Sequence, residues 1–87
     1  MGYRIVYTKH AEKDARKLEQ ANLKNKAISL LKIIKENPYQ NPPPYEKLIG
    51  DLKWMYSRRI SIQHRIVYLV DEDMGIVKII KLWTHYE

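Results

Sequence analysis

The segment that decides the fold reads Ile76-Val77-Lys78-Ile79-Ile80-Lys81-Leu82-Trp83. Its apolar residues occupy both alternating positions, which predicts a strand buried on both faces of a sheet. A polar turn, Asp71–Gly75, comes immediately before it, and Gly75 can adopt the positive φ that such a turn needs. Two earlier segments, Leu52–Ile60 and His64–Val70, are also rich in β-branched and aromatic residues. Together the three segments predict an antiparallel meander.

The N-terminal part of the chain predicts a strand followed by a helix. The strand is Tyr3–Tyr7, and the Thr8 hydroxyl after it can cap a helix by accepting a hydrogen bond from a first-turn amide. Three apolar residues then repeat at helical spacing and are expected to share one face: Ala11, Ala15 and Leu18.

A second helix is predicted after Asn22, which marks a break and could cap the new helix. Asn37-Pro38 ends this helix, because a residue before proline disfavours the helical region. Its apolar residues are Leu23, Ala27, Leu30, Leu31 and Ile34. The two helices are expected to form an antiparallel hairpin, with one bent helix as the alternative.

The resulting order is β-α-α-β-β-β, which predicts an α+β fold in a single domain of residues 1–87. Two N-terminal helices would pack on one face of a small, mostly antiparallel sheet. The other face need not be covered, and Arg and Lys side chains beside it could meet a polyanion.

Composition narrows the range of possible functions. The 87 residues carry 16 Lys and Arg against 10 Asp and Glu, and the net charge of +6 predicts a polyanionic partner. The absence of Cys excludes a disulfide scaffold and a thiol nucleophile, and three His residues without a pattern give no metal site. No phosphate-binding glycine motif is present, so no cofactor is expected. Because the sequence has neither a signal-peptide pattern nor a long apolar run, we expect a cytosolic protein without membrane contact.

Two clusters and one carboxylate could carry chemistry. If the chain turns near Ser61–Gln63, Arg59 and Arg65 come close across a hairpin, where guanidinium groups can bind phosphate bidentately. The alternative is a solvated strand edge whose charges prevent aggregation. The terminal His85-Tyr86 offers a proton donor and an aromatic ring, or else is a frayed tail. Glu46 ends the proline-rich loop 37–46, shortly after its triple proline, and is either a general base or a surface charge.

That loop contains Pro42-Pro43-Pro44. A triple proline prefers the stiff, extended polyproline II form, which predicts a rigid connector rather than a proline-motif ligand.

The strings Tyr56-Ser57-Arg58-Arg59-Ile60, His64-Arg65-Ile66-Val67-Tyr68 and His85-Tyr86 resemble the Txe/YoeB toxins of the RelE/ParE superfamily of toxin–antitoxin systems. Glu46 and Leu48 also fall in register with that family, so the resemblance covers essentially the whole chain. It implies a RelE-like fold and a metal-independent mRNA endonuclease that acts in the ribosomal A site. It also implies a YefM-like or Axe-like antitoxin, operator DNA bound through that antitoxin, and compatibility with a homodimer.

The resemblance also implies roles for individual residues. Glu46 would be the general base, Arg65 would stabilise charge on the phosphate with help from Arg59, and His85 would be the general acid. Tyr86 would orient or stack on the mRNA. The residues expected to bind RNA are Arg58, Arg59 and Lys47.

The sequence departs from the family at three places. Relatives often place the glutamate in a Lys-Pro-Glu-Pro-Leu context, whereas here it lies in Pro44-Tyr45-Glu46-Lys47-Leu48. Ile49 stands where many relatives carry Lys, and Glu87 follows the usual terminal Tyr. Two other functions stay open at this point: a ParE-like toxin that poisons gyrase, and a basic RNA-binding module without catalysis.

Overall fold

The computed structural model describes residues 2–49 and 54–85, with only the backbone for Thr84 and His85. Within these ranges the elements are β1 (Arg4–Tyr7), α1 (Lys9–Gln20), α2 (Lys24–Glu36), β2 (Glu46–Lys47), β3 (Met55–Arg59), β4 (His64–Asp71) and β5 (Ile76–His85). The strands form one sheet in the order β1-β5-β4-β3-β2. The predicted α+β class, with two helices packed on a mostly antiparallel sheet, is confirmed.

The sheet is mixed because its first strand pairs with its last. β1 runs parallel to β5, with Arg4 opposite Ile76 and Tyr7 opposite Ile79. The pairs β5–β4, β4–β3 and β3–β2 are antiparallel, which confirms the predicted meander. Sequence reasoning missed β2, since two residues at the end of a proline-rich loop give no periodic signal. Part of the predicted strand Leu52–Ile60 lies outside the described residues, and β3 begins at Met55.

The core lies between the helices and one face of the sheet. Its buried apolar residues are Ala11, Leu18, Ala27, Ile34, Tyr56, Ile60, Ile66, Tyr68, Val70, Val77, Ile79 and Leu82. β5 is buried on that face only: Lys78 and Lys81 are exposed, and Ile76 and Ile80 are half-buried. The prediction that this strand is buried on both faces is therefore wrong, because helices cover only one face of the sheet.

The first helix begins as predicted but buries a different residue. Thr8 accepts a hydrogen bond from the Ala11 amide at 3.0 Å. Ala15 is exposed, whereas Asp14 is buried and its Oδ2 accepts hydrogen bonds from the amides of Leu82 (3.0 Å) and Trp83 (3.2 Å). These amides lie beyond the point where β1 ends, so the carboxylate takes the place of a neighbouring strand.

Replacing Asp14 by alanine should therefore destabilise the fold. Removing the carboxylate leaves the Leu82 and Trp83 amides without this acceptor, and we expect a loss of about 1–3 kcal/mol in the free energy of unfolding. Urea unfolding followed by circular dichroism measures it. Glu12→Ala, an exposed change on the same helix, should stay within about 0.5 kcal/mol of the wild type. Equal stabilities of the two variants would contradict this account.

Asn22 separates the two helices, as predicted, but by another mechanism. Its φ of 60° is the left-handed conformation that commonly ends a helix, and asparagine tolerates it. Leu23, not Asn22, is the residue before α2, and its side chain makes no capping bond. The predicted capping role of Asn22 is therefore wrong, and the alternative of one bent helix is excluded.

A single carboxylate fastens the proline-rich loop and the N-terminus to the β4–β5 turn. Glu72 accepts hydrogen bonds from the phenol groups of Tyr3 and Tyr39, both at 2.7 Å. These two bonds lower the pKa of Glu72. The bond to Glu72 is also the main reason why the pKa of Tyr3 is raised.

The lowered pKa of Glu72 predicts an acid-dependent loss of stability. Since its folded-state pKa lies below the unfolded value, its stabilising effect is present above the ordinary glutamate range and disappears as the pH falls through the folded pKa. We expect the melting temperature of the wild type to approach that of Glu72→Gln as the pH is lowered from 7 to about 3. Thermal unfolding of both chains across this range tests it, and a constant difference would contradict it.

Candidate functional site

The site is centred on an ion pair between two strands that are not neighbours. Arg65 lies on β4 and Glu46 on β2, yet Arg65 Nη1 is 3.2 Å from Glu46 Oε1. The long arginine side chain reaches across β3, which separates the two strands. The Arg65 side chain is 9% exposed and the Glu46 side chain 60% exposed. The carboxylate is thus open to solvent, whereas the arginine side chain is almost fully buried.

Ser57 provides the space and a second contact for that guanidinium. It stands directly opposite Glu46 in the pairing of β2 with β3, and it is fully buried. Its hydroxyl accepts a hydrogen bond from Arg65 Nη1 at 3.0 Å. A larger side chain here would block the path from Arg65 to Glu46. Sequence reasoning did not single out Ser57 as a site residue, although its spacing of two from Arg59 places both on one face of the strand.

Arg59 faces Arg65 across the β3–β4 hairpin, as the turn near Ser61–Gln63 predicted. Arg59 is exposed, and the two residues are directly opposite in register. Like charges in this position destabilise a sheet unless an anion lies between them. The arrangement therefore suits the binding of a phosphate beside the Glu46 carboxylate.

The end of β5 runs beside the part of β4 that carries Arg65. Thr84 is opposite Arg65 and His85 is opposite His64 in the β4–β5 register. The His64 ring stacks on Trp83, with 3.8 Å between ring centroids. The backbone of His85 therefore lies next to the strand that carries Arg65. Tyr86 and Glu87, for which roles were also considered, lie outside the described residues.

The remaining predicted RNA contacts lie in contrasting positions. Lys47 is exposed on β2, opposite Tyr56, and follows Glu46 directly. Arg58 is only 1% exposed, and its guanidinium donates to protein acceptors on the far side of β3 from Ser57. Of the three predicted RNA-binding residues, the structure thus places Arg59 and Lys47 at the surface and Arg58 inside.

In residues 2–49 and 54–85, no group of three His, Asp or Glu side chains is arranged to hold a metal ion. In the same ranges, neither helix is both long and apolar enough to cross a membrane.

Comparison with known proteins identifies relatives that match nearly the full length of this chain. Residues 7–86 match the family model described as the YoeB-like toxin of bacterial type II toxin–antitoxin systems. No curated protein sequence matches the chain. Among solved structures, a YoeB/ParE toxin from Agrobacterium tumefaciens has a TM-score of 0.85 at 28% identity, covering 95% of this chain and 99% of that one.

Two similar structures come from Staphylococcus aureus. A YoeB–YefM complex contains a chain 34% identical, with a TM-score of 0.80 and coverage of 97% of this chain and 98% of that one. A YoeB dimer is 32% identical, with a TM-score of 0.79 and the same coverage. The family model and the identity to these structures extend over nearly the full length, including the strands that carry Glu46, Arg59 and Arg65. This chain belongs to the YoeB-like toxins of bacterial type II toxin–antitoxin systems.

Proposed function

We propose that this toxin is a ribosome-dependent endonuclease that cuts mRNA in the A site and so inhibits translation. One observation carries the proposal: the Arg65 guanidinium is held between the Glu46 carboxylate and the Ser57 hydroxyl, with Arg59 opposite. Cleavage of an RNA phosphodiester is helped by a general base and by cations that stabilise charge on the phosphate. A carboxylate beside two guanidinium groups offers both. The resemblance to RNA-cleaving toxins supports the same conclusion.

The reaction begins at the ribose 2′-hydroxyl. Glu46 removes its proton, and the 2′-oxygen attacks the adjacent phosphorus, forming a new O–P bond. Arg65, assisted by Arg59, stabilises the negative charge that builds on the phosphate oxygens. The bond from phosphorus to the 5′-oxygen then breaks, and His85 gives that oxygen a proton. The products are a 2′,3′-cyclic phosphate and a 5′-hydroxyl, and no step requires a metal ion.

The ribosome would supply much of the substrate positioning. The Glu46 carboxylate and Arg59 lie open on the sheet rather than in a deep cleft, so the toxin alone holds only a small part of an RNA strand. Lys47 and Tyr86 would also contact the mRNA. A domain of 87 residues is small enough to act inside the A site, where the codon is already presented.

We also propose that a YefM-like or Axe-like antitoxin binds and inhibits this chain. The net charge of +6 favours an acidic partner, and the S. aureus relative forms a YoeB–YefM complex. Operator DNA would be bound through the antitoxin. The existence of a YoeB dimer supports a homodimer of the free toxin.

Incubating the purified toxin with ribosomes programmed with a defined mRNA tests the activity. Mapping the 5′ ends should reveal cuts confined to the A-site codon, and the same mRNA without ribosomes should stay intact. Intact mRNA together with gyrase-dependent DNA breaks would overturn the proposal in favour of a gyrase poison. RNA that is bound with steep salt dependence but left uncut would overturn it in favour of a binding module.

A further inference from the structure

Arg58 is the most deeply buried charged side chain in the described residues, and the proposed reaction gives it no direct part. Its Nη1 donates to the carbonyl of Pro43 at 2.6 Å, and its Nη2 donates to those of Pro38 (3.1 Å) and Gln40 (2.8 Å). Its Nε donates to the Tyr68 hydroxyl at 3.1 Å. The proline-rich loop is therefore curled around one guanidinium, not extended as its triple proline predicted.

These contacts make the loop conformation depend on Arg58. A buried guanidinium is tolerated only if its donors are satisfied, and in the described residues it forms no ion pair. Loop carbonyls satisfy it instead, and each of them would lose a charge-assisted hydrogen bond if the guanidinium were removed. The planar fork reaches three carbonyls at once, which an ammonium group on a lysine stem does not do.

The end of this loop determines where Glu46 lies. Pro43, whose carbonyl makes the shortest contact with Arg58, is three residues before Glu46. Tyr45 lies between them in the sequence, and the centroid of its ring is 5.1 Å from the Arg58 guanidinium carbon. By contrast, β2 consists of only Glu46 and Lys47, followed by one bond from the Leu48 amide to the Met55 carbonyl. So short a strand needs another anchor to hold a carboxylate in place.

Both faces of β3 therefore contribute residues that support the site. Ser57 and Arg59 point to the face that carries Arg65, whereas Arg58 points to the opposite face and fixes the loop that delivers Glu46. We propose that Arg58 is a positioning residue that holds Glu46 in register with Arg65. This inference rests on the proposed cleavage activity.

Arg58→Lys tests the inference because it keeps the charge and loses the fork. Under single-turnover conditions on programmed ribosomes, we expect the maximal cleavage rate to fall by about 10- to 100-fold, since a misplacement near 1 Å has costs of that order. The toxin concentration giving half the maximal rate should stay close to the wild-type value, because the RNA-facing surface is unchanged. Glu72→Gln, which weakens the anchor of the same loop at Tyr39, seven residues before Glu46, should keep nearly the wild-type rate.

A double variant separates positioning from a general structural effect. In a Glu46→Gln background, Arg58→Lys should have little further effect on the rate, because it acts through Glu46. Amide hydrogen exchange should also show faster exchange at Leu48 with β4 and β5 unchanged. If Arg58→Lys does not fold, Tyr68→Phe provides the milder test. It removes a hydroxyl that links Arg58 and Pro38, and should lower the rate and loosen Leu48 in the same sense.

A failure of this inference can be distinguished from a failure of the proposed function. If the wild type cuts mRNA on ribosomes but Arg58→Lys cuts at the same rate, with Leu48 protected as before, the inference alone is wrong. An equal loss of rate with and without Glu46 would also overturn it. If the wild type leaves ribosome-bound mRNA uncut, the proposed function is wrong, and the positioning role of Arg58 is wrong as well.

Discussion

Replacing Arg65 by alanine is expected to slow cleavage of mRNA on programmed ribosomes by about 100- to 1000-fold. The guanidinium is fixed by Glu46 and Ser57 before substrate arrives, so it needs no reorganisation to meet the charge that develops on the phosphate. Single-turnover cleavage measures the loss, and inducible expression of the variant should no longer arrest growth.

Two matched variants show whether geometry or charge matters. Arg65→Lys keeps the charge but not the fork, so it should recover only part of the rate. Arg4→Ala removes an exposed arginine from β1, at the opposite edge of the sheet from β2, and should cut at nearly the wild-type rate. A folded Arg65→Ala chain that cuts as fast as Arg4→Ala would contradict the proposed clamp.

Glu46→Gln and His85→Ala are each expected to lower the cleavage rate by about 100- to 10,000-fold, but for different reasons. In the proposed mechanism Glu46 takes a proton from the nucleophile, and His85 gives one to the leaving group. An mRNA with sulfur in place of the bridging 5′-oxygen distinguishes them. A thiol has a pKa of about 8.5, far below that of an alcohol, so its sulfur leaves without a proton donor.

On this substrate His85→Ala should recover most of the wild-type rate, whereas Glu46→Gln should stay slow. Cleavage of the ordinary mRNA by the same preparations provides the control. If the sulfur substrate rescues both variants equally, or neither, the assignment of base and acid is wrong. Binding of the antitoxin by both variants, measured alongside, shows that they are folded.

Local patterns in the sequence predicted most of the fold. The periodicity of the helices and the β-rich C-terminal half gave the element order, and the turn near Ser61–Gln63 placed Arg59 opposite Arg65. Interactions between residues distant in sequence decided the features that the local patterns missed. Ala15 fits an apolar helical stripe, but Asp14 is buried instead, because the β5 amides beyond the end of β1 need an acceptor.

The site was predictable only in part for the same reason. Strand spacing relates Ser57 to Arg59, but no local rule brings Glu46 to Arg65, because they meet across a third strand after a curled loop. The residues alone left Glu46 as either a general base or a surface charge, and only the family resemblance favoured the base. Arg58 is the converse case: arginines are usually exposed, so its burial under three loop carbonyls could be seen only in the folded structure.

The chemical ends of the cleaved mRNA test the central claim most directly. Attack by the 2′-hydroxyl leaves a 2′,3′-cyclic phosphate on the upstream fragment and a 5′-hydroxyl on the downstream fragment. An mRNA with one 2′-deoxy nucleotide at the cut position should remain intact in the A site. Fragments that carry a 3′-hydroxyl and a 5′-phosphate, or cleavage of the 2′-deoxy substrate at the normal rate, would contradict the account.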